Sequence, residues 1–171
     1  MSRAFVKEDA AEAPLIPPRP PLPPGTANYV TPRGLALLRA ERDALEAERG
    51  GIDADRSDDA ERTRRLALNA GLLADLNARL STAKVVTHAS PPPKEVRFGA
   101  TVTLRVEAAG RPDEERTLTI VGVDEANAAN GCLTFTSPIA RAITGKRPGE
   151  RVPLRTARGD ETLEILTVSY E

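Results

Sequence analysis

The chain has no tryptophan and only one cysteine, one histidine and one methionine in 171 residues, with three phenylalanines and two tyrosines. With so few rings, a core must be assembled from Leu, Val, Ile and Ala. The lone Cys132 excludes an intramolecular disulfide framework and fits a reducing compartment. Its setting in Cys132-Leu133-Thr134-Phe135-Thr136 predicts a small buried residue. His88 has no Cys or His companion at ligand spacing, which argues against a metal site there. Long apolar runs are missing too, since nothing approaches the ~20 residues that cross a bilayer. The N-terminus is charged and then proline-rich, without the apolar centre of a secretory signal. A soluble, cytoplasmic chain with no membrane contact is expected. A formal net charge of −1 argues against a protein that coats nucleic acid through phosphate contacts.

The run Pro14-Leu15-Ile16-Pro17-Pro18-Arg19-Pro20-Pro21-Leu22-Pro23-Pro24-Gly25 cannot form a helix or a central strand, because proline removes amide donors and fixes φ. Residues 1–28 are therefore expected to be a disordered proline-rich arm favouring an extended polyproline conformation. Its PxxP spacing with an arginine is compatible with an aromatic-groove partner. A plain spacer is the stronger reading.

Residues 29–86 read as an antiparallel coiled-coil hairpin. Thr31 can cap a helix and Pro32 fits its first turn. Leu35, Leu38, Arg42, Leu45 and Arg49 then recur in steps of three and four, a coiled-coil seam with arginine at two normally apolar positions. Gly50-Gly51 is expected to break that helix. A second helix is expected from about Ser57 or Asp58, with a seam of Leu66, Asn69, Leu73, Leu76, Leu80 and Ala83. Two helices of one seam period joined by a short turn fold back on each other. The polar seam residues predict a mobile distal end.

Ser90-Pro91-Pro92-Pro93 marks a linker over 87–94. From 95 to 171 the pattern changes to short alternating runs: Thr101 to Val106, Arg116 to Val121, Cys132 to Thr136, Arg151 to Leu154 and Thr162 to Val168. One short helix interrupts them, with Ser137 as cap, Pro138 in its first turn and Gly145 at its close. The fold class expected is α+β, a helical hairpin followed by a small antiparallel sheet wrapped around one short helix.

Four segments in this order resemble the bacterial GreA/GreB transcription elongation factor family. They are Val30-Thr31-Pro32-Arg33-Gly34, Val96-Arg97-Phe98-Gly99-Ala100-Thr101-Val102, Ile120-Val121-Gly122-Val123-Asp124-Glu125-Ala126, and Ser137 to Lys146. The resemblance covers all but the arm. It implies a C-terminal domain of the FK506-binding-protein (FKBP-like) type that docks on the rim of the RNA polymerase secondary channel, through Thr136, Ser137, Pro138 and Ile139. It further implies a hairpin that reaches down the channel and offers acids at its tip. No catalytic residue is intrinsic to such a protein and no metal is bound by it alone. Magnesium would be shared with the polymerase, which performs any hydrolysis, and nucleic acid would be met only indirectly, by a monomer.

Family tips carry an Asp and a Glu three residues apart, and here Asp58 and Glu61 have that spacing, with Asp53 and Asp55 nearby. Asp followed by Glu at that spacing is also a helix-capping signature, and on local grounds capping is the stronger reading. The flanking Arg62-Thr63-Arg64-Arg65 departs from the family pattern. These arginines suit RNA phosphate or acidic channel residues, with a solvated helix face the stronger alternative. Each arm is about one heptad shorter than in typical members, leaving the tip about 10 Å short. This resembles short-stalked members such as Rnk-like proteins. Occupancy of the channel with weak or absent cleavage is the expected activity. The alternatives are a transcript-cleavage factor using Asp58 and Glu61, an adaptor acting through the arm, and a prolyl isomerase. For the last, Phe98, Phe135 and Tyr170 look too scattered to line a pocket.

Overall fold

The computed structural model describes residues 14–56, 58–157 and 159–170. Two helices of equal length dominate the N-terminal half, α1 (Pro32–Ala54) and α2 (Asp59–Ser81). At 1.5 Å per residue each is about 35 Å long. Thr31 caps α1 by accepting from the Gly34 amide at 2.8 Å, with Pro32 in the first turn.

The α1 seam is simpler than the arginine-bearing pattern suggests. Leu38, Leu45 and Ile52 repeat every seven residues; Leu38 is 3% and Ile52 1% exposed, and Leu45 is half-buried. Arg42 turns out to Asp43 at 2.9 Å and Glu46 at 3.7 Å, while Arg49 is exposed. On α2, Leu73, Leu76 and Asn69 are buried. Asn69 earns its interior place by donating to the Leu45 carbonyl at 2.9 Å, which fixes the register of the two helices in the way a buried amide does in a coiled coil.

Gly50-Gly51 does not break α1, which runs on to Ala54. Two glycines cost a helix about 1 kcal/mol each relative to alanine, and fully burying the Ile52 side chain returns about 2 kcal/mol. The added turn carries Ile52 into the hairpin. Asp58 caps the returning helix where the sequence places its start, and Ser57 lies outside the described residues.

At the base, β1 (Tyr29–Val30) pairs in parallel with β2 (Lys84–Val85), so the chain entering the hairpin meets the chain leaving it. Neither strand is signalled by the sequence, because two residues carry no period. The C-terminal half is a five-stranded sheet of β3 (Ala100–Ala108), β4 (Glu114–Val121), β5 (Cys132–Thr134), β6 (Arg151–Thr156) and β7 (Gly159–Tyr170), in the order β5-β4-β3-β7-β6. Four of these strands pair antiparallel. The edge strand β5 lies parallel to β4, so the sheet is mixed and not wholly antiparallel. Short helix α3 (Pro138–Ile143) presses Ala140 and Ile143, both fully buried, onto Val102, Leu104, Ile120, Leu163 and Ile165.

Candidate functional site

Three regions hold the residues singled out by sequence: the hairpin tip, the loop entering α3, and the junction between hairpin and sheet. At the tip, the Asp58 carboxylate accepts from the amides of Ala60 at 2.9 Å and Glu61 at 3.2 Å. Capping is therefore what Asp58 does in this fold. Glu61 lies 3.7 Å from Arg64. Asp55 ends α1, its amide donating to the Ile52 carbonyl at 3.2 Å, and its carboxylate lies 3.5 Å from Arg65. Arg62 bonds Asp59 at 2.7 Å and the Asp55 carbonyl at 3.3 Å. Asp53 is exposed in the last turn of α1. Arg62, Arg64 and Arg65 are thus paired with tip acids. Among the described residues no three acid, His or Cys side chains converge as a metal site. Two carboxylates can share magnesium only where another molecule supplies most of its six ligands. Asp58→Ala is expected to cost about 1 kcal/mol and fray the first turn of α2, read by denaturant titration, with Asp58→Asn keeping most of the loss at bay.

The loop into α3 is fixed by its own hydrogen bonds. The Ser137 hydroxyl accepts from the Ala140 amide at 3.2 Å, its amide donates to the Thr134 carbonyl at 2.9 Å, and the Thr134 and Thr136 hydroxyls lie 2.9 Å apart. Pro138 is exposed, and Ile139 half-buried against the core. Beside this loop lies a groove of about 340 Å³ lined by Tyr29, Phe98, Phe135, Thr136, Arg141 and Thr144, among others. Its rings form one cluster, with centroids 5.9 Å apart for Tyr29 and Phe98, 5.7 Å for Tyr29 and Phe135, and 5.6 Å for Phe98 and Phe135. Phe98 and Phe135 are therefore neighbours, not scattered, and Tyr29 from the hairpin base completes the trio. Tyr170 sits elsewhere, against His88 at 4.3 Å. Burial raises the Tyr170 phenol above its ordinary value; the hydroxyl donates to the Glu95 carbonyl and accepts from the Arg97 amide. His88 Nε2 lies 2.6 Å from the Phe98 carbonyl, which can only accept, so that nitrogen carries the proton.

The junction holds what sequence reasoning missed. Asp124 and Glu125 follow β4, and each side chain is only 6% exposed. Asp124 lies 3.3 Å from Arg19 of the arm and 3.3 Å from Arg79 of α2. Its Oδ2 has no hydrogen bond of good geometry, so the Arg79 contact is Coulombic. Glu125 accepts from the Thr31 hydroxyl at 2.5 Å and lies 3.9 Å from Arg33. The acidic turn thus ties the sheet to both helices. Behind it is a cavity of about 330 Å³ whose lining includes Arg33, His88, Glu125 and Cys132; Cys132 is buried, as its strand setting predicts.

Residues 14–28 differ from the disordered spacer expected of so many prolines. Arg19 bonds Glu41 of α1 through both terminal nitrogens, at 2.8 and 2.9 Å. Arg79 donates to the Pro20 carbonyl, and the Asn28 amide donates to the Arg79 carbonyl at 2.8 Å. An extended proline segment has little conformational entropy left to lose, so a few such contacts hold it. Hydrogen bonding from Arg19 holds the Glu41 carboxyl below its ordinary value. The pairing is complete above the usual carboxylate range and is lost as pH falls through that lowered value. Residues 1–13 of the expected arm lie outside the described residues.

A helical hairpin is thus clasped at its base to the sheet by an acidic turn. The profile described as "Transcription elongation factor, GreA/GreB, C-term" matches residues 91–170. The GreA of Ruegeria pomeroyi is 37% identical over 157 residues, covering 82% of this chain and 96% of that protein. The GreA of Beijerinckia indica is 39% identical over 104 residues, covering 61% of this chain and 64% of that one. The GreA of Azorhizobium caulinodans is 40% identical over 103 residues, with 60% and 64% covered. In those last two comparisons the match spans a little under two thirds of the relative's length. A solved GreA/GreB protein from Nitrosomonas europaea is 21% identical, covers 85% of this chain and 99% of that one, and has a TM-score of 0.40. This chain belongs to the GreA/GreB transcription elongation factor family.

Among the described residues no helix is long and apolar enough to cross a membrane.

Proposed function

We propose that the chain is an RNA polymerase-binding regulator of transcription elongation that enters the secondary channel and acts by occupying it, with weak or absent stimulation of RNA cleavage. In this reading the FKBP-like sheet domain sits on the channel rim through Thr136, Ser137, Pro138 and Ile139. The exposed Pro138 beside a loop braced by Ser137 and Thr134 supports a presented contact. The paired helices are the probe.

The observation that carries the occupancy reading is the state of the tip. Asp58 caps the helix through Oδ1, and Glu61 and Asp55 each face an arginine. The cap leaves Asp58 Oδ2 open to a ligand, but Arg64 beside Glu61 and Arg65 beside Asp55 would put two positive side chains next to a magnesium ion shared with another enzyme. The second reading, a cleavage factor placing Asp58 and Glu61 at the polymerase metal site, must overcome that positive charge or move it away. The protein would act in the cytoplasm as a monomer and hold no cofactor of its own.

Core polymerase is expected to retain the purified chain, and a Pro138→Asp, Ile139→Asp variant is expected to be retained at least tenfold less. Backtracked complexes incubated with the chain are expected to keep their RNA 3′ ends. Shortened ends, lost again in Asp58→Ala and Glu61→Ala, would establish the cleavage reading instead. Failure of the polymerase to retain the wild-type chain sinks both.

A further inference from the structure

The arm does more than touch the hairpin; it lies along the hairpin flank on a set of matched contacts, with Ile16 36% and the Arg19 side chain 17% exposed. Ile16 lies over Gly71, where α2 has no side chain. A Cβ at that position would stand 2.1 Å from Ile16 Cδ1 and 2.9 Å from Cγ1, so a larger residue would push the end of the Ile16 side chain aside. Three residues further on, Arg19 reaches Glu41 with a two-pronged bond and Asp124 at 3.3 Å. Arg79 closes the other side by holding the Pro20 carbonyl. A notch for an aliphatic side chain, an acidic pair for a guanidinium and a donor for a proline carbonyl together read an Ile-Pro-Pro-Arg segment. The elements that supply them are α1, α2 and the turn after β4.

This seat lies on the stalk. Gly71 is ten residues from the base end of α2, about 15 Å up a shaft of about 35 Å. A pore that admits two packed helices, each about 10 Å across, must also admit the arm or have it removed. We propose that residues 14–25 are an autoinhibitory strap, a proline-rich ligand bound in cis to the hairpin flank, which must lift before the stalk can pass to full depth into a partner's channel. The inhibitory role rests on the polymerase reading above; the strap itself does not.

The test uses the full chain carrying Ile16→Cys and Gly71→Cys in a Cys132→Ser background. The Ile16 Cγ1 position, which the new sulfur would take, is 2.9 Å from the Gly71 Cβ position, close to the roughly 3 Å between a sulfur and the partner Cβ across a disulfide. Mild oxidation is expected to give an intramolecular disulfide in monomeric protein, and adding Arg19→Ala is expected to slow its formation about tenfold, the order expected for losing a two-pronged charge-assisted bond. Little disulfide, disulfide-linked dimers, or a rate indifferent to Arg19 would overturn the strap. Oxidised and reduced forms are then compared for retention by core polymerase. The locked form is expected to bind at least tenfold more weakly, with reductant restoring binding and the uncrosslinked Arg19→Ala variant binding more tightly than wild type. Equal binding of locked and reduced forms overturns autoinhibition while leaving the polymerase reading intact. No binding by any form overturns both functional statements, and the crosslinking rate still decides whether the strap exists.

Discussion

Asp124→Ala is expected to cost the folded chain about 3 kcal/mol, the order seen when one partner of a buried ion pair is removed, and to lower Tm by about 10 °C for a chain of this size. Asp124, Arg79 and Arg19 have side chains only 6%, 11% and 17% exposed. Removing the carboxylate strands the Arg79 guanidinium with little water to screen it, while Arg19 keeps its two-pronged bond to Glu41. Asp124→Asn keeps the shape and loses the charge, so about half the loss is expected. Thermal unfolding followed by circular dichroism measures both. A double variant, Asp124→Ala with Arg79→Ala, should lose less than the sum of the single losses, because the second change removes the charge the first one strands. Additive losses would mean that the two groups do not interact.

Gly122→Ala is the second large effect expected. Gly122 follows β4, and a Cβ there would meet the Tyr29 carbonyl oxygen at 2.5 Å and the Val30 Cα at 3.6 Å. Both are backbone atoms of β1, so no flexible side chain can yield. The hairpin base must move off the sheet, carrying Tyr29 away from Phe98 and Phe135. Overpacking of this kind costs about 3 kcal/mol. Because the clash is at the junction, amide exchange should accelerate first in β1, β2 and the turn at 122–125, while α3 and β7 stay protected. Uniform acceleration over the whole chain would show that this junction does not open by itself.

Local chemistry made several elements legible in the sequence. Thr31-Pro32 and Ser137-Pro138 announce helix starts because an oxygen acceptor followed by a residue without an amide proton satisfies a helix end wherever it occurs. The strands of the sheet announce themselves by alternation, and the hairpin by its steps of three and four. Gly50-Gly51 misleads because propensity is a small local term, and the burial of Ile52, within one turn of Asp53 and Asp55, opposes it. The direction of β5 was hidden, since a three-residue run pairs equally well either way until the turn at Asn127 to Gly131 sets its course.

The site was legible in part. The acids of the tip could be named, and so could the capping role of Asp58, because a cap is a contact between residues two and three apart. Asp124 and Glu125 were visible only as an acidic turn. Their partners lie far off in the chain, with Arg19 and Thr31 separated from them by 105 and 94 positions, and no period links such residues. For the arm, prolines specify extension without specifying what it lies on. The PxxP spacing with an arginine was the available hint of a binding segment, and it pointed to an aromatic groove and not to this chain's own helices.

The parallel pairing of Tyr29–Val30 with Lys84–Val85 has an evolutionary consequence. Departure and return occupy adjoining points, so the excursion between them behaves as a removable cassette. Taking seven residues from each leg, or adding seven, leaves the anchorage untouched and the facing layers matched, as the spacing of Leu38, Leu45 and Ile52 requires. Length is then a quantity selection can change in steps of about 10 Å without redesigning the foundation.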